Sequence, residues 1–484
     1  MIRRVTAFRV CWLGVCGTLS RMAGGRRPRS PPLMKRVLLM LPDAAVPAPA
    51  SLMTLLAVFA PLFTAPSFRT FTMLACGFLA QSGKRTVCGM LTGAGLSRLW
   101  SHDRAHYFFS RARWNPGDLG ICAAKLVIGL LVPDGEPVEV LIDDTLFRRR
   151  GKKVWAASWF HDGSALGPAK TGYGNNWVVL AVRVRLPMVS RPVAIPVMAK
   201  LVIKDTASAS RLWLACRMIT RLAAEFPGRQ IGVTADSAYA GHELKRLPGG
   251  VTWTTRLRSN AALHDLPPAP TRRKGRPRKK GDRLPRLAKI AAGAAFSRVT
   301  VTRYGKTETI AVYAFTCLWY SVTGTAPVTV ILIRDKSKTG CDLALVTTEK
   351  DPDVAQVIER YAARWAIEVA IEDAKQIFGT GQARNRTTAA VERTVPFTLA
   401  CQAIAVCWYA ITGHHPADPL RRGRGRLSAR QIRQWQDGTC CAGNGTSCLA
   451  NTCRSWVLAM CGEQRRHDDP APGQGAPDQG RDSR

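Results

Sequence analysis

YAARWAIEVAIEDAK, residues 361–375, is the stretch whose reading decides the rest of this chain. It holds Tyr361, Arg364, Glu368 and Lys375 in the spacing Y-x2-R-x3-E-x6-K. On one uninterrupted helix, at about 100° per residue, these four side chains fall within roughly 60° of one another. One stripe then carries a phenol, two cations and a carboxylate. A carboxylate flanked by an arginine and a lysine suits a site that holds a divalent metal and grips phosphates around it. A solvated face with a Glu–Lys pattern is the plainer reading of the same residues. Glu372, one turn beyond Glu368, points the same way and is the alternate acid on this helix.

Two upstream segments supply partners for that glutamate. VEVLIDD, residues 138–144, ends an apolar, β-branched run on Asp143 and Asp144. RQIGVTADSAY, residues 229–239, ends a second such run on Asp236. Both runs read as buried strands. Carboxylates at strand ends are held by a rigid scaffold yet open to solvent, although a lone aspartate there is commonly a turn residue or a helix cap. Hard divalent cations prefer oxygen ligands, and two of them sharing carboxylates activate a nucleophile and stabilise a leaving oxygen in phosphoryl transfer.

Taken together, these pieces resemble the DDE transposases of bacterial insertion sequences, in the branch whose glutamate sits in a Y-x2-R-x3-E-x6-K helix. The resemblance spans roughly residues 85–415. It rests on LIDDT, GKKVWAASWFHDGSA, GYGNNWVVLAV, TADSAYAG, TTRLRSNA and IERYAARWAIEVAIEDAKQIFG. It implies an α/β fold: a ribonuclease-H-like mixed sheet with flanking helices, a β-rich insertion before the last catalytic helix, and an α-helical N-terminal region. It also implies that Asp144, Asp236 and Glu368 are the catalytic and metal-binding triad, expected to converge within a few ångströms. Asp144 is chosen over Asp143 because the family pattern places the metal-binding aspartate directly before a threonine, here Thr145; Asp143 stays open as the alternate. The implied cofactor is a pair of Mg²⁺ ions, with Mn²⁺ able to substitute. The implied activity is cleavage of DNA at the element's ends and joining to target DNA, with a homodimer on double-stranded DNA. A relic or repressor on the same scaffold, binding DNA without cutting it, is the alternative.

Composition agrees with such a partner. The chain has 484 residues, with 70 Lys and Arg against 33 Asp and Glu, a net charge of +37. Dense phosphates are the natural counterpart of that excess. An anionic membrane surface is the competing counterpart, and SLMTLLAVFAPLFTAPSF, residues 51–68, raises it. Pro61 and Pro66 interrupt that run, so it reads as buried helices with no membrane involved. The 15 cysteines lack framework spacing and argue against a secreted disulfide scaffold. A cytoplasmic, nucleoid-associated protein is expected.

Along the chain, residues 1–33 read as a disordered or over-extended start and 34–130 as a helical, DNA-binding region. Within the latter, SHDRAHYFFSRARW, residues 101–114, suits either a DNA-contacting helix or an amphipathic packing helix. Residues 131–255 and 346–415 form the catalytic core, with strands near 137–144, 153–160, 176–186 and 192–203 and a crossover helix over ASASRLWLACRMITRLAAEF. Residues 256–345 form the strand-rich insertion. Its loop TRRKGRPRKKGDR carries Arg272, Arg273, Lys274, Arg276, Arg278, Lys279, Lys280 and Arg283. The Gly275-Arg276-Pro277 core looks like a minor-groove hook, with a solvated basic loop as the plainer reading. Arg148, Arg149, Arg150, Lys152 and Lys153, just after the first aspartates, are expected to meet phosphate. Residues 416–484 lose apolar periodicity and read as an irregular, frameshifted tail, whose Cys440, Cys441, Cys448 and Cys453 match no usual zinc spacing.

Overall fold

The computed structural model describes residues 48–413, apart from 164, 166–167, 187–188, 190, 270–276 and 336–339. The start at 1–33, the tail with its cysteine cluster, and Arg272, Arg273, Lys274 and Arg276 of the basic loop lie outside the described residues.

Helices open the described chain: α1 (Ala50–Ala57), α2 (Ala65–Ala80), α3 (Val87–Gly93), α4 (His102–Ser110) and α5 (Pro116–Leu131). The side chains of Thr86, Ser101 and Asn115 accept hydrogen bonds from the first turns of α3, α4 and α5. Those N–H groups have no helical carbonyl to bind, which is why such residues start helices. In the SHDRAHYFFSRARW segment three of the four aromatics turn inward, and Tyr107 stays exposed. Phe108, Phe109 and Trp114 are buried, while Arg104, Arg111 and Arg113 stay exposed.

Next come β1 (Val138–Arg148), β2 (Ser158–His161), β3 (Thr171–Val184), β4 (Val193–Leu201), α6 (Arg211–Glu225), β5 (Ile231–Ala235) and β6 (Val251–Arg256). β1 pairs antiparallel with β3, and β3 with β4. After the α6 crossover the chain returns parallel: β5 pairs with β1, and β6 with β5. The order β4-β3-β1-β5-β6 is the ribonuclease-H-like arrangement implied by the sequence. Then follow α7 (Leu287–Gly293), β7 (Ser297–Arg303), β8 (Lys306–Leu318), β9 (Pro327–Arg334) and β10 (Leu343–Thr347). β10 pairs antiparallel with β6, so these strands extend the same sheet to ten strands, in the order β2-β3-β1-β5-β6-β10-β9-β8-β7 with β4 beside β3. Helices α8 (Val354–Ala362), α9 (Trp365–Gln376) and α10 (Thr388–Trp408) complete the described chain.

Side chains alternate across a strand, and this sorts β1 between two cores. Val140, Ile142 and Leu146 join the large core shared with the N-terminal helices and α6. Leu141 and Phe147 face the other way, against Ala366, Ile367, Ala370 and Ile371 of α9 and Val391 and Val395 of α10. α8 lays Val357 and Ile358 on Val301, Ile331, Ile333 and Leu345 of the β7–β10 half. Among the described residues one helix, Thr388–Thr412, is long and apolar enough to cross a membrane, and 89% of its apolar window is buried inside the protein.

Phe397 of α10 joins the N-terminal helices to this sheet. Its ring meets those of Phe71, Phe78, Phe108 and Phe109 at 5.2–6.3 Å between centroids, mostly edge-on, the geometry aromatic rings favour. Phe397→Ala therefore opens a cavity inside a shared core. It should cost about 3–5 kcal/mol, measured by urea unfolding. Because the core is shared, helices α1–α5 should lose amide-exchange protection together with the sheet rather than before it.

Candidate active site

The parallel pairing of β1 and β5 sets the site. Its last paired residues are Ile142 and Ala235, so Asp143 and Asp236 come next, side by side at one end of the sheet. By alternation Asp143 shares the face of Leu141, the face covered by α9. There the Arg364 guanidinium lies between two acids, 3.7 Å from Asp143 and 2.7 Å from Glu368. Burial opposes the charge on Arg364, and Glu368 and Asp143 more than restore it. Burial also pushes the Asp143 carboxyl up to about 7, against the pull of the Asp144 N–H and of Arg364, with the charges of Asp144 and Glu368 adding to the rise. Asp236 accepts a hydrogen bond from the Ala238 N–H at 2.7 Å, and its carbonyl accepts one from the Thr255 hydroxyl at 2.6 Å. The Tyr361 phenol is raised by burial, with Asp236 adding to the rise and Arg364 and Arg256 opposing it.

Asp144 points through the sheet to the opposite side. Its carboxylate accepts hydrogen bonds from the Tyr239 hydroxyl at 3.2 Å and the Asn176 amide at 3.1 Å, and pairs with Arg211 of α6 at 3.2 Å. Asp143, and not Asp144, thus lies on the face of Glu368. Asn176, Arg211, Tyr239 and Arg256 were not singled out from the sequence. Tyr239, Asn176 and Arg256 sit inside TADSAYAG, GYGNNWVVLAV and TTRLRSNA, but nothing in those strings distinguishes a side chain that reaches an aspartate from one that fills a core. Arg211 reads as an ordinary first-turn cation.

One expectation does not hold. Tyr361, Arg364, Glu368 and Lys375 do not share an uninterrupted helix: α8 stops at Ala362 and α9 starts at Trp365. Between them the chain tightens, with N–H to carbonyl bonds from Arg364 to Tyr361, Ala366 to Ala363 and Ile367 to Arg364, each spanning three residues. Arg364 therefore sits at a joint, and the stripe is split there. Nor are the acids drawn together: among the described residues no three His, Cys, Asp or Glu side chains are grouped closely enough to cage a metal. Carboxylates without a counter-cation repel, and here Arg364 holds the space between two of them. Glu372 is exposed and accepts a hydrogen bond from Gln376 at 2.8 Å.

The basic candidates divide. Lys375 holds its ammonium 5.6 Å from the centre of the Phe147 ring. Burial lowers its basicity, while Asp162 and Asp143 oppose that. Arg149 is occupied within the fold, donating to Asn175 and to the carbonyls of Gly381 and Ala383; Arg148 pairs with Asp162. Arg150, Lys152 and Lys153 are exposed. In the described part of the basic loop, Lys279 is exposed, Arg278 pairs with Asp282 at 2.8 Å, and Lys280 lies 3.2 Å from His264.

A family model described as DDE superfamily endonuclease matches residues 58–317. The chain belongs to that family. For this DDE superfamily endonuclease, the match takes in Asp143, Asp144 and Asp236 and ends before Glu368. No curated protein matches the chain. Among solved structures, a cryo-EM structure of piggyBac transposase, a synaptic complex with hairpin DNA, is similar with a TM-score of 0.37 and 11% identity, covering 91% of this chain and 78% of that one.

The raised Asp143 carboxyl has a consequence for stability. In the unfolded chain such a group ionises near 4, and in the folded protein near 7. The folded state therefore holds the proton longer, and stability is lost as pH rises from about 4 to about 7. Asp143→Asn removes that loss. In metal-free buffer the variant should melt above the parent at pH 8, and the advantage should shrink at pH 5, as followed by calorimetry.

Proposed function

We propose that this DDE superfamily endonuclease cuts double-stranded DNA at the ends of an insertion sequence and joins those ends to target DNA by metal-dependent phosphoryl transfer. The observation that carries this reading is the Asp143–Arg364–Glu368 bridge beside Asp236 at the parallel strand ends. The donor set fits a hard divalent cation: all three acids offer oxygen, and Asp143 and Glu368 already share one cation, Arg364. Asp143, Asp236 and Glu368 would hold Mg²⁺, or Mn²⁺ in its place. Such ions supply activation of the attacking hydroxyl and neutralise the charge on the leaving oxygen.

The chain's own residues do the rest. Arg364 can leave its carboxylates and take a phosphate through two parallel N–H bonds. Tyr361 offers a phenol beside Asp236, and Lys375 a partly desolvated ammonium at the other end of α9. Asp144, engaged by Tyr239, Asn176 and Arg211, orients the middle of β1. The net charge of +37 supports duplex DNA as the partner, with a homodimer joining two element ends. Lys152, Lys153, Arg278, Lys279 and Lys280, together with Arg276 outside the described residues, would track its backbone.

Purified protein on a labelled duplex carrying the element's ends, with Mg²⁺, tests the reading. Asp143→Ala, Asp236→Ala and Glu368→Ala should each reduce cleavage to background while duplex affinity holds. Asp144→Asn should keep more cleavage than Asp143→Asn; the reverse order would return the metal site to Asp144. A parent that binds the duplex and never cuts it would mark a repressor instead. Arg364→Lys keeps the charge but loses the planar fork, and should slow cleavage on the order of 10²-fold. Neutralising Arg278, Lys279 and Lys280 should flatten the log–log salt dependence of duplex binding by about 0.9 for each phosphate they neutralise in the parent, leaving the metal requirement unchanged.

A further inference from the structure

At the edge of the catalytic half of the sheet, β2 pairs with the first residues of β3 and sets Trp159 directly opposite Tyr173. The two rings meet edge-on, 5.8 Å between centroids. Trp159 leaves 62% of its surface open to solvent. Single exposed apolar side chains are ordinary, but this one is a tryptophan set against a second ring, on a strand whose flanking connections carry cations. Arg150, Lys152, Lys153 and Lys170, all exposed, lie on the connections that flank the two strands, and the Tyr173 hydroxyl is 3.4 Å from the Lys152 carbonyl. Asp162, the acid nearest in sequence, is buried and paired with Arg148.

The pair also faces the site. Along β3, Trp177 and Val179 pack under α9, and alternation puts Tyr173 on that same face. Asp143 lies opposite Val179 across the regular β1–β3 ladder. Six residues of strand separate Val179 from Tyr173, roughly 20 Å at about 3.3 Å each. Phe147, with the Lys375 ammonium over its ring, stands between them on the ladder. One face thus runs from the acids, past a lysine, to an aromatic pair whose flanking connections carry cations.

Bases inside an intact duplex already stack on one another and offer such a pair no free face. An unpaired base has a free face, and stacking on aromatic side chains between backbone-tracking cations is how single strands are gripped without regard to sequence. We propose that Trp159 and Tyr173 form a stacking platform for an unpaired base of the DNA strand running from the catalytic end, with Arg150, Lys152, Lys153 and Lys170 on its phosphates. This rests on the reading of the protein as a DNA-cutting enzyme.

The test uses the full chain in EDTA, so that cleavage plays no part. Affinity is measured by anisotropy for a labelled oligo-dT and for a duplex of equal length, with the parent and with Trp159→Ala, Trp159→Leu and Trp159→Phe. A side chain this exposed can be replaced without unfolding the protein, which unchanged melting verifies. Trp159→Ala and Trp159→Leu should weaken oligo-dT binding roughly ten-fold, Trp159→Phe should retain most of it, and duplex affinity should not move. A 2-aminopurine in the oligonucleotide should be quenched by the parent and not by Trp159→Ala. The platform is overturned if Trp159→Leu binds oligo-dT as well as Trp159→Phe, or if single-strand and duplex affinity fall together. It is also overturned if Trp159→Ala leaves oligo-dT binding intact and instead changes the sedimenting species, which would make the edge strand a protein contact. A parent that binds duplex but shows no Trp159 dependence removes the platform alone; a parent that binds neither DNA removes the enzymatic reading as well.

Discussion

Carboxylates on one half-buried face repel each other, and the end of this sheet that carries Asp143 and Asp236 depends on what offsets that repulsion. Arg364 does so in the resting protein, lying between Asp143 and Glu368. Its guanidinium is itself partly desolvated, so it is as dependent on the two acids as they are on it. The arrangement is held from below by a second charged set. Glu139, earlier on β1 and on the same face as Asp143, meets Arg183 at 3.5 Å and Arg360 at 3.8 Å, and Arg360 also pairs with Glu349. Arginines from α8 and from the α8–α9 joint thus alternate with acids from β1 across one surface. A phosphate arriving at Arg364 would compete with Glu368 for the same N–H groups, and a divalent cation would compete with Arg364 for the same carboxylates. Bound together, the two ligands would favour one rearrangement, with the arginine turned outward to phosphate and the acids left to the metal.

Period-two alternation sends the side chains of Asp143 and Asp144 to opposite faces of the sheet. Adjacent residues in a strand cannot face the same way, so one of two consecutive aspartates must point away from Glu368. The one that does, Asp144, is met by Tyr239, Asn176 and Arg211, from the loop after β5, from β3 and from α6. These contacts fasten the middle of β1 to its neighbours on the far side. The Tyr239 phenol, buried and beside two aspartates, is pushed well up, so it remains the proton donor in its bond to Asp144.

Much of this was legible beforehand. β-Branched runs ending in acid marked β1 and β5, and the Ser/Thr-rich start marked the α6 crossover, whose side-chain cap is Ser210. Which of Asp143 and Asp144 faces Glu368 was not legible from the residue that follows them. It turns on which face of the sheet the last helix covers, a fact of tertiary packing. The basic run after β1 misled in part for a similar reason. Arg149 carries a charge like its neighbours, yet its guanidinium is spent inside the fold on Asn175 and the carbonyls of Gly381 and Ala383. The joint at Arg364 left no trace either, since YAARWAIE contains neither glycine nor proline.

The joint has its own physical cause. α8 packs on the β7–β10 half of the sheet and α9 on β1, β3 and β4. Neighbouring strands in a sheet are rotated by roughly 20–25°, and over ten strands the surface turns too far for one straight helix to follow. A helix long enough to reach from one half to the other would lift its apolar face off one of them. Breaking the helix lets Val357 and Ile358 seat on one half and Ile367 and Ala370 on the other. The break falls near the middle of the sheet, where the β1–β5 pairing stops just before Asp143 and Asp236. Arg364 at that joint keeps helical dihedrals, φ −54° and ψ −32°, so it reaches Glu368 one turn on as helical residues do and Asp143 across the face of β1. Arg364 occupies the joint, and the same twist that splits the helix delivers its guanidinium to Asp143 and Glu368.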